Sequence, residues 1–312
     1  MANYFNIGAA LPTLKQGEYR SHELTSKQFL EILSKDMPAR DRSLVNLILL
    51  KNDNHILIQL LKGHELTPID PSLLVLGVER LQYLIEATQI NIDYVPDPYS
   101  IEKPELPQID SKEFPKYMID FVKLYLTDQK RGEVSSYFYE DVLSLEYAKY
   151  VQKKGDTFLK NWFAFEQDIA SIFAAITAER YQLDASKYIL GDKPLYSLMR
   201  SGDWKEISYL EDADMVKRIR TISEEEHLAI REQKVDALKW EVLDEVTFAD
   251  LFSIDAMMVY LLKLQILERW ERLDKVQGEQ KFRNIVSGLN NEGRDELEQF
   301  KSSMTIRKKS QR

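Results

Sequence analysis

The segment SEEEHLAI, at 223–230, holds the residues of this chain with the clearest capacity for chemistry. Glu224 and His227 have the Glu-x-x-His spacing that places two metal ligands on one face of a helix in di-metal carboxylate bundles. Such a site needs a second pair of this kind, and no other histidine of the sequence has a glutamate three residues before it. An α-helical enzyme that uses a metal or a small molecule around Glu224 and His227 is therefore kept as the alternative hypothesis.

The same segment also has the sequence of a helix N-terminus. Ser223 and Glu226 form the S-x-x-E pattern of a capping box, and the three glutamates at 224–226 lie where the helix dipole favours negative charge. This second interpretation explains more of the residues. We predict that Ser223 caps a helix and that the segment holds no metal.

Sequence motifs of the common enzyme classes are missing. The chain has no cysteine, which excludes disulfides, thiolate metal sites and cysteine nucleophiles. Phosphate-binding glycine loops, the dinucleotide fingerprint and the G-x-S-x-G nucleophile elbow are also absent from the sequence. We predict a protein that is not an enzyme and that has no catalytic residue, no cofactor and no metal ligand.

The charge balance limits the kinds of partner. Lysine and arginine number 42 against 51 aspartates and glutamates, which gives a net charge of −9. An acidic surface repels phosphate backbones, so we predict no nucleic-acid partner. The N-terminus lacks the pattern of a signal peptide, and the apolar run at 256–262 is far shorter than the roughly 20 residues that span a bilayer. These features predict a cytoplasmic protein.

Apolar residues recur at helical spacing through most of the chain. Thr25 and Gln28 form a capping box before an apolar face that contains Phe29, Leu30, Leu33 and Met37. Asp70 and Pro71 predict the start of a helix of about five turns. The aliphatic run at 55–61 continues from 43–53, and together they predict a helix pair, whereas 3–11 fits either an extended segment or a first helix.

The stretch 157–180 predicts a helix that is packed on more than one side. Large apolar residues recur at intervals of three or four, and alanines between them let a neighbouring helix approach closely. The large residues are Phe158, Trp162, Phe165, Ile169, Phe173 and Ile176.

Five of the ten prolines fall between 96 and 115, which excludes a regular helix there. We predict an N-terminal helical part at 1–95, a Pro-rich connector at 96–115 and a C-terminal helical part at 116–312, with a basic tail at 306–312. Strand signals are weak throughout. The predicted fold class is all-α, an array of packed helices.

The segment 253–273 predicts a helix that starts inside a core. Ser253 is a suitable N-cap and Asp255 falls in the first turn. From Ala256 to Leu262 the segment is apolar on all sides, and after Lys263 only one apolar stripe continues.

This segment resembles a known family. Phe252-Ser253-Ile254, then Tyr260-Leu261-Leu262 and then Arg269 are similar to the C-terminal helix of the stalk-cap (C/d-type) subunit of V-type and A-type ATPases. Leu264 and Gln265 depart from it, since that family favours a Lys-Glu pair there. The segment 165–192, with Asp168 before an Ala-rich helix and Arg180 at its end, is similar to the repeated helical unit of the stalk-cap protein.

The N-terminal sequences YFNIGAALPTL and SKQFLEIL resemble a group of uncharacterised bacterial proteins, typical of Bacteroidetes, that occur among V-type ATPase genes. The resemblance implies an all-α, elongated or funnel-like fold and a non-catalytic subunit that links the central-stalk shaft to the membrane rotor ring. It implies a cytoplasmic protein that is peripheral to the inner membrane through protein contacts. A generic helical adaptor, unrelated to ATPases, has the same predicted fold and is a further alternative.

Overall fold

Every regular element in the described part of the chain is a helix, which confirms the all-α prediction. A computed structural model describes residues 4–18, 23–35, 37–95, 105–132, 138–247 and 250–273. Two short 3-10 helices, Pro71–Leu73 and Ala185–Lys187, join the α-helices. The α-helices are α1 (Phe5–Ala10), α2 (Ser26–Leu33), α3 (Ala39–Lys62), α4 (Val78–Asp93), α5 (Lys116–Arg131), α6 (Tyr139–Lys154), α7 (Thr157–Tyr181), α8 (Pro194–Ser201), α9 (Trp204–Ile207), α10 (Ala213–Ser223), α11 (Leu228–Thr247) and α12 (254–273).

The chain divides into two compact units. The first contains residues 1–11 and 26–259, and the second contains 12–25 and 260–312. In the second unit, the Tyr260 hydroxyl donates a hydrogen bond to the Pro12 carbonyl at 3.1 Å. In the first unit, α4 and α5 pack against each other although they flank the predicted connector. Residues 96–104 of that connector lie outside the described residues, and 105–115 contain no helix.

The N-terminal part contains two short helices. Residues 5–10 are helical, which decides the alternative that the sequence leaves open for 3–11. In α2, Phe29, Leu30 and Leu33 are buried, and Met37 is buried just beyond it, so the predicted apolar face is confirmed.

The predicted helix pair before residue 62 is wrong, because α3 is one continuous helix of 24 residues. The polar residues at its centre do not interrupt it. Asp53 and Asn54 are both buried, and Asn54 accepts a hydrogen bond from the Tyr117 hydroxyl at 2.8 Å. A buried polar group that has a partner costs little, so helical hydrogen bonding continues through this polar stretch.

The long helix predicted to start at Asp70 and Pro71 is also wrong. Asp70 caps only the 3-10 helix, and α4 begins at Val78. Between them, the buried Asp53 carboxylate accepts backbone N–H groups from Val75, Leu76 and Gly77 at 2.8, 2.9 and 3.1 Å. Gly77, the residue before α4, has a φ of +82°, which is outside helical geometry. The carboxylate from α3 thus holds an open loop where the sequence predicts a helix.

Helix α7 is packed on more than one side, as the sequence predicts. It contains 25 residues, and the Asp156 side chain caps it by accepting the Leu159 N–H at 2.9 Å. Its first half packs beside α6, where Phe163 meets Tyr147 with ring centroids 5.1 Å apart. Its second half enters a core shared with α8, α10 and α11, which includes Ile169, Ile172, Ile176, Leu195, Met199, Ile219 and Leu238.

Glu166 on α7 joins three helices. Its carboxylate accepts hydrogen bonds from Lys51 of α3 at 3.0 and 3.1 Å and from Lys239 of α11 at 2.9 Å. The Glu166 side chain is only 16% exposed. Burial raises its pKa, but the two ammonium groups outweigh burial and lower the pKa of Glu166 to about 2.

We expect Glu166→Gln to destabilise the protein by about 2 kcal/mol at neutral pH, because two lysines lose one shared counter-charge. Urea unfolding measures the change. Glu241→Gln is the matched control, since Glu241 pairs with Arg218 on the exposed surface, and we expect it to change stability by less than about 0.5 kcal/mol. The lowered pKa means that this stabilisation is present above the ordinary glutamate value of 4.5 and is lost as the pH falls towards 2. Equal effects of the two variants on stability would contradict the role of Glu166 as a counter-charge shared by two lysines.

Candidate functional site

Glu224 and His227 do not lie on one helix. Ser223 is the last residue of α10, not the predicted N-cap, and its hydroxyl donates to the Arg220 carbonyl at 2.7 Å. Ser223 is still within α10, and α11 begins five residues later, which explains the wrong prediction. Helix α11 begins at Leu228, so Glu224 follows one helix and His227 precedes the next.

The surroundings of this pair are those of a surface turn. Both side chains are exposed, and the His227 backbone N–H donates to the Glu225 carboxylate at 3.3 Å. Across the described ranges, no three histidine, aspartate or glutamate side chains converge as a metal-binding group. The geometry that a di-metal helix bundle requires is therefore missing at this turn.

A buried polar cluster lies instead between α7 and α8. The Asp168 carboxylate accepts hydrogen bonds from the Lys193 ammonium at 2.6 and 2.7 Å and from the Tyr196 hydroxyl at 2.6 Å. Burial first, and then the bond to Asp168, raises the pKa of Tyr196. The tyrosine therefore stays a neutral donor at physiological pH.

The loop that brings Lys193 and Tyr196 to Asp168 has its own supports. Gly191 has a φ of +103°, and a Cβ atom there would lie 3.1 Å from the Tyr196 ring. The Arg200 guanidinium donates to the carbonyls of Ile189 and Gly191 at 3.1 and 2.8 Å. Glycine is therefore required at 191, and the arginine fixes the loop around it.

These hydrogen bonds hold α8 against α7, and we call Asp168, Lys193 and Tyr196 the clamp. Each Asp168 oxygen has a donor from α8 or from the residue before it, so the carboxylate is fully engaged. The Lys193 side chain is 42% exposed and reaches the carboxylate from the surface. The sequence predicts Asp168 on α7 but gives no sign of its partners. An aspartate within an apolar helical stretch is a signal that a partner exists, not which residue it is.

The prediction for α12 is confirmed in its start and its burial. The Ser253 hydroxyl accepts the Ala256 N–H at 3.2 Å, as an N-cap does. Residues 256–259, Leu261 and Leu262 are buried, and beyond Lys263 the buried positions are Leu264, Leu267 and Trp270. Among the described helices, none combines the length and the apolar character that crossing a bilayer needs.

Exposed apolar side chains occur both where α7 ends and where α11 begins. Tyr181 and Leu183 are 66% and 45% exposed, and Leu228 and Ile230 are 61% and 42% exposed. The Arg180 guanidinium donates to the Ser223 carbonyl at 3.3 Å, which brings the end of α7 beside the turn before α11. We call these four apolar residues the α7–α11 end. We interpret them as a candidate surface for protein contacts.

We expect Asp168→Asn to destabilise the chain by about 1–2 kcal/mol, because the lysine loses its counter-charge while its exposed end still reaches water. Chemical denaturation measures the difference from the unmodified protein. Asp120→Asn, on the exposed face of α5, removes the same charge without breaking a clamp and serves as the control. Equal stability of both variants would contradict the clamp.

We expect Glu224→Ala and His227→Ala each to change the free energy of unfolding by less than about 0.5 kcal/mol, since both positions are on the surface. Elemental analysis of the purified protein is the accompanying measurement, and we expect neither variant to alter its metal content. A metal that is lost in either variant would support the enzyme alternative and count against a structural turn.

Comparisons with known proteins give a family but no activity. No curated protein and no solved structure matches the chain. The sequence pattern of one family, described as "Protein of unknown function (DUF2764)", matches residues 1–293. That range covers nearly all of the 312 residues. The chain therefore belongs to the DUF2764 family.

Proposed function

We propose that this protein is a non-catalytic coupling subunit of a bacterial V/A-type ATPase, which links the central-stalk shaft to the membrane rotor ring. The observation that carries the proposal is α12. The residues that resemble the stalk-cap subunit lie before and along this helix: Phe252-Ser253-Ile254, Tyr260-Leu261-Leu262 and Arg269. Ser253 caps the helix, and residues 256–259, Leu261 and Leu262 are buried. The resemblance thus concerns residues with a defined structural role.

The internal supports of the fold suit a part that transmits torque. A torque-bearing subunit needs helices that keep their relative positions under load. Helix α7 is tied to α3 and α11 through Glu166 and to α8 through Asp168, in addition to its apolar packing. These carboxylates connect neighbouring helices. The proposed role is therefore mechanical and needs no catalytic residue.

The α7–α11 end supplies a surface for one of the two contacts that such a subunit makes. Two of its apolar residues, Leu228 and Ile230, closely follow Glu224 and Glu226 in the chain, and both glutamates are exposed. An apolar centre with an acidic rim complements a partner that has apolar side chains ringed by basic ones. We assign this surface to a protein partner in the ATPase, either the shaft or the ring.

Affinity purification from membranes of the source organism tests the proposed function. We expect the tagged chain to recover the ATPase subunits in fixed proportion and to be released with the central stalk when the catalytic head is stripped from the membrane. An intact, active ATPase that lacks this chain would contradict the proposal. Recovery of unrelated proteins only would favour a generic helical adaptor.

Variants of the surface test the assigned contact. Tyr181→Ser with Leu228→Ser removes two exposed apolar groups, and we expect recovery of the ATPase to fall about tenfold or more, since interface anchors contribute about 1–2 kcal/mol or more each. Ile90→Ser with Val95→Ser is the matched control, because these apolar residues on and after α4 are 52% and 78% exposed, a range that includes both Tyr181 and Leu228. Circular dichroism verifies that each variant is folded. Equal recovery with both pairs of variants would reject this surface as the contact.

A further inference from the structure

A nine-residue sequence occurs twice in the first unit. It reads Ile-Asp-Pro-Ser-Leu-Leu-Val-Leu-Gly at 69–77 and Leu-Asp-Ala-Ser-Lys-Tyr-Ile-Leu-Gly at 183–191. The aspartate, the serine, the last leucine and the glycine are identical, and two further positions are aliphatic in both copies. Each copy follows a long helix that carries a buried aspartate, Asp53 on α3 and Asp168 on α7. The correspondence therefore extends beyond the nine residues.

The two copies also have the same local structure. Asp70 accepts the Ser72 N–H at 3.0 Å and its hydroxyl at 2.8 Å, and Asp184 accepts the Ser186 N–H at 3.1 Å and its hydroxyl at 2.6 Å. Each aspartate starts a 3-10 helix of three residues, and the glycine that ends each copy has a positive φ, of +82° and +103°. We call 69–77 the first repeat and 183–191 the second repeat.

Helix α2 docks on the first repeat. It packs against the 3-10 helix Pro71–Leu73, and Lys27 in its first turn donates to the Asp70 carboxylate at 2.9 Å. The apolar face of α2 is buried, and Ile69, just before Asp70, is half-buried. The first repeat thus shows what kind of element binds this motif, namely an amphipathic helix that has a lysine at its start.

The second repeat exposes the corresponding groups. Asp184 is exposed, and within the described ranges its carboxylate accepts hydrogen bonds only from Ser186. Leu183, which corresponds to Ile69, is 45% exposed, and Tyr181 next to it is 66% exposed. The second repeat therefore presents a carboxylate beside apolar side chains, which is the combination that α2 meets at the first repeat.

The helix before α7 does not occupy this place. Helix α6 precedes α7 as α2 precedes α3, but its first turn carries Glu140 and Asp141 instead of a lysine. Glu140 forms an ion pair with Lys62 of α3. The Phe138 ring, just before α6, stacks on Tyr188 with centroids 5.9 Å apart, beyond the 3-10 helix of the second repeat. The start of α6 therefore contacts the other end of the motif and brings no cation to Asp184.

We propose that Tyr181, Leu183 and Asp184 form a docking surface for an amphipathic helix of another protein, which carries a lysine in its first turn. The lysine pairs with Asp184, and the apolar face of the helix covers the two exposed side chains. Helix α2 of this chain is engaged at Asp70, so the docking helix comes from a partner. The inference rests on the proposed contact at the α7–α11 end and specifies the chemistry of the partner there.

A labelled peptide with the sequence of residues 23–37, which contains α2, tests the surface in fluorescence anisotropy with the full chain. We expect saturable binding with a Kd of about 0.1–1 mM, because an isolated helix of this length is mostly unfolded in water. A Lys27→Glu peptide should bind about tenfold more weakly, since a like charge then faces Asp184. Asp184→Lys in the chain should have the same effect, and the two changes together should restore binding to within about twofold.

Asp184→Asn keeps an oxygen that can accept from Ser186, so it removes the charge and retains the turn, and we expect it to weaken binding about threefold. Asp120→Lys, on the exposed face of α5 and outside both repeats, is the control that should leave binding unchanged. Circular dichroism verifies that each variant is folded. Absence of saturable binding, or equal binding of the native and Lys27→Glu peptides, would overturn the docking surface.

The peptide measurement and the recovery of the ATPase separate the two proposals. Peptide binding without recovery of ATPase subunits would support the docking surface and contradict the proposed function. Recovery of the ATPase without peptide binding would contradict the docking surface and leave the proposed function supported.

Discussion

The helix packing of the first unit depends on two carboxylates of α7 that are largely removed from water. Glu166 and Asp168 are two residues apart, and on a helix with 3.6 residues per turn such neighbours point in nearly opposite directions. A carboxylate that is removed from water must find a counter-charge or donors, or it destabilises the fold. Glu166 meets Lys51 and Lys239 on one side, and Asp168 meets Lys193 and Tyr196 on the other. The two carboxylates therefore link α7 to α3, α11 and α8, in addition to the apolar packing of α7.

Local sequence was sufficient to predict a helix where the start and the buried face of that helix are determined by its own residues. The start of α12 follows from Ser253, and its buried positions follow from the spacing of its apolar residues. The length of α7 follows in the same way. Predictions went wrong where a distant residue competes for the backbone. Asp53 on α3 binds the N–H groups of 75–77 and replaces a predicted helix turn with a loop.

The same difference between local and distant interactions explains which parts of the candidate site could be predicted. The sequence singles out Glu224 and His227, but Ser223 ends α10 rather than starting a helix, and this separates the pair. The partners of Glu166 lie 115 and 73 residues away in the chain, and no local pattern connects them. Pairing between distant charges is a property of the packed structure. A single sequence states which charges need partners and leaves the partners open.

A mechanical role is consistent with all of these supports. The proposed coupling role needs helices that keep their relative positions and a surface for a partner, and the carboxylate links of α7 and the α7–α11 end suit these needs. The most direct measurement is ion transport and ATP hydrolysis in inverted membrane vesicles from a strain without this chain. We predict that ATP hydrolysis persists while ATP-driven ion transport is lost, and that the intact gene restores transport. Coupled transport at the normal ratio in the absence of the chain would contradict the coupling role.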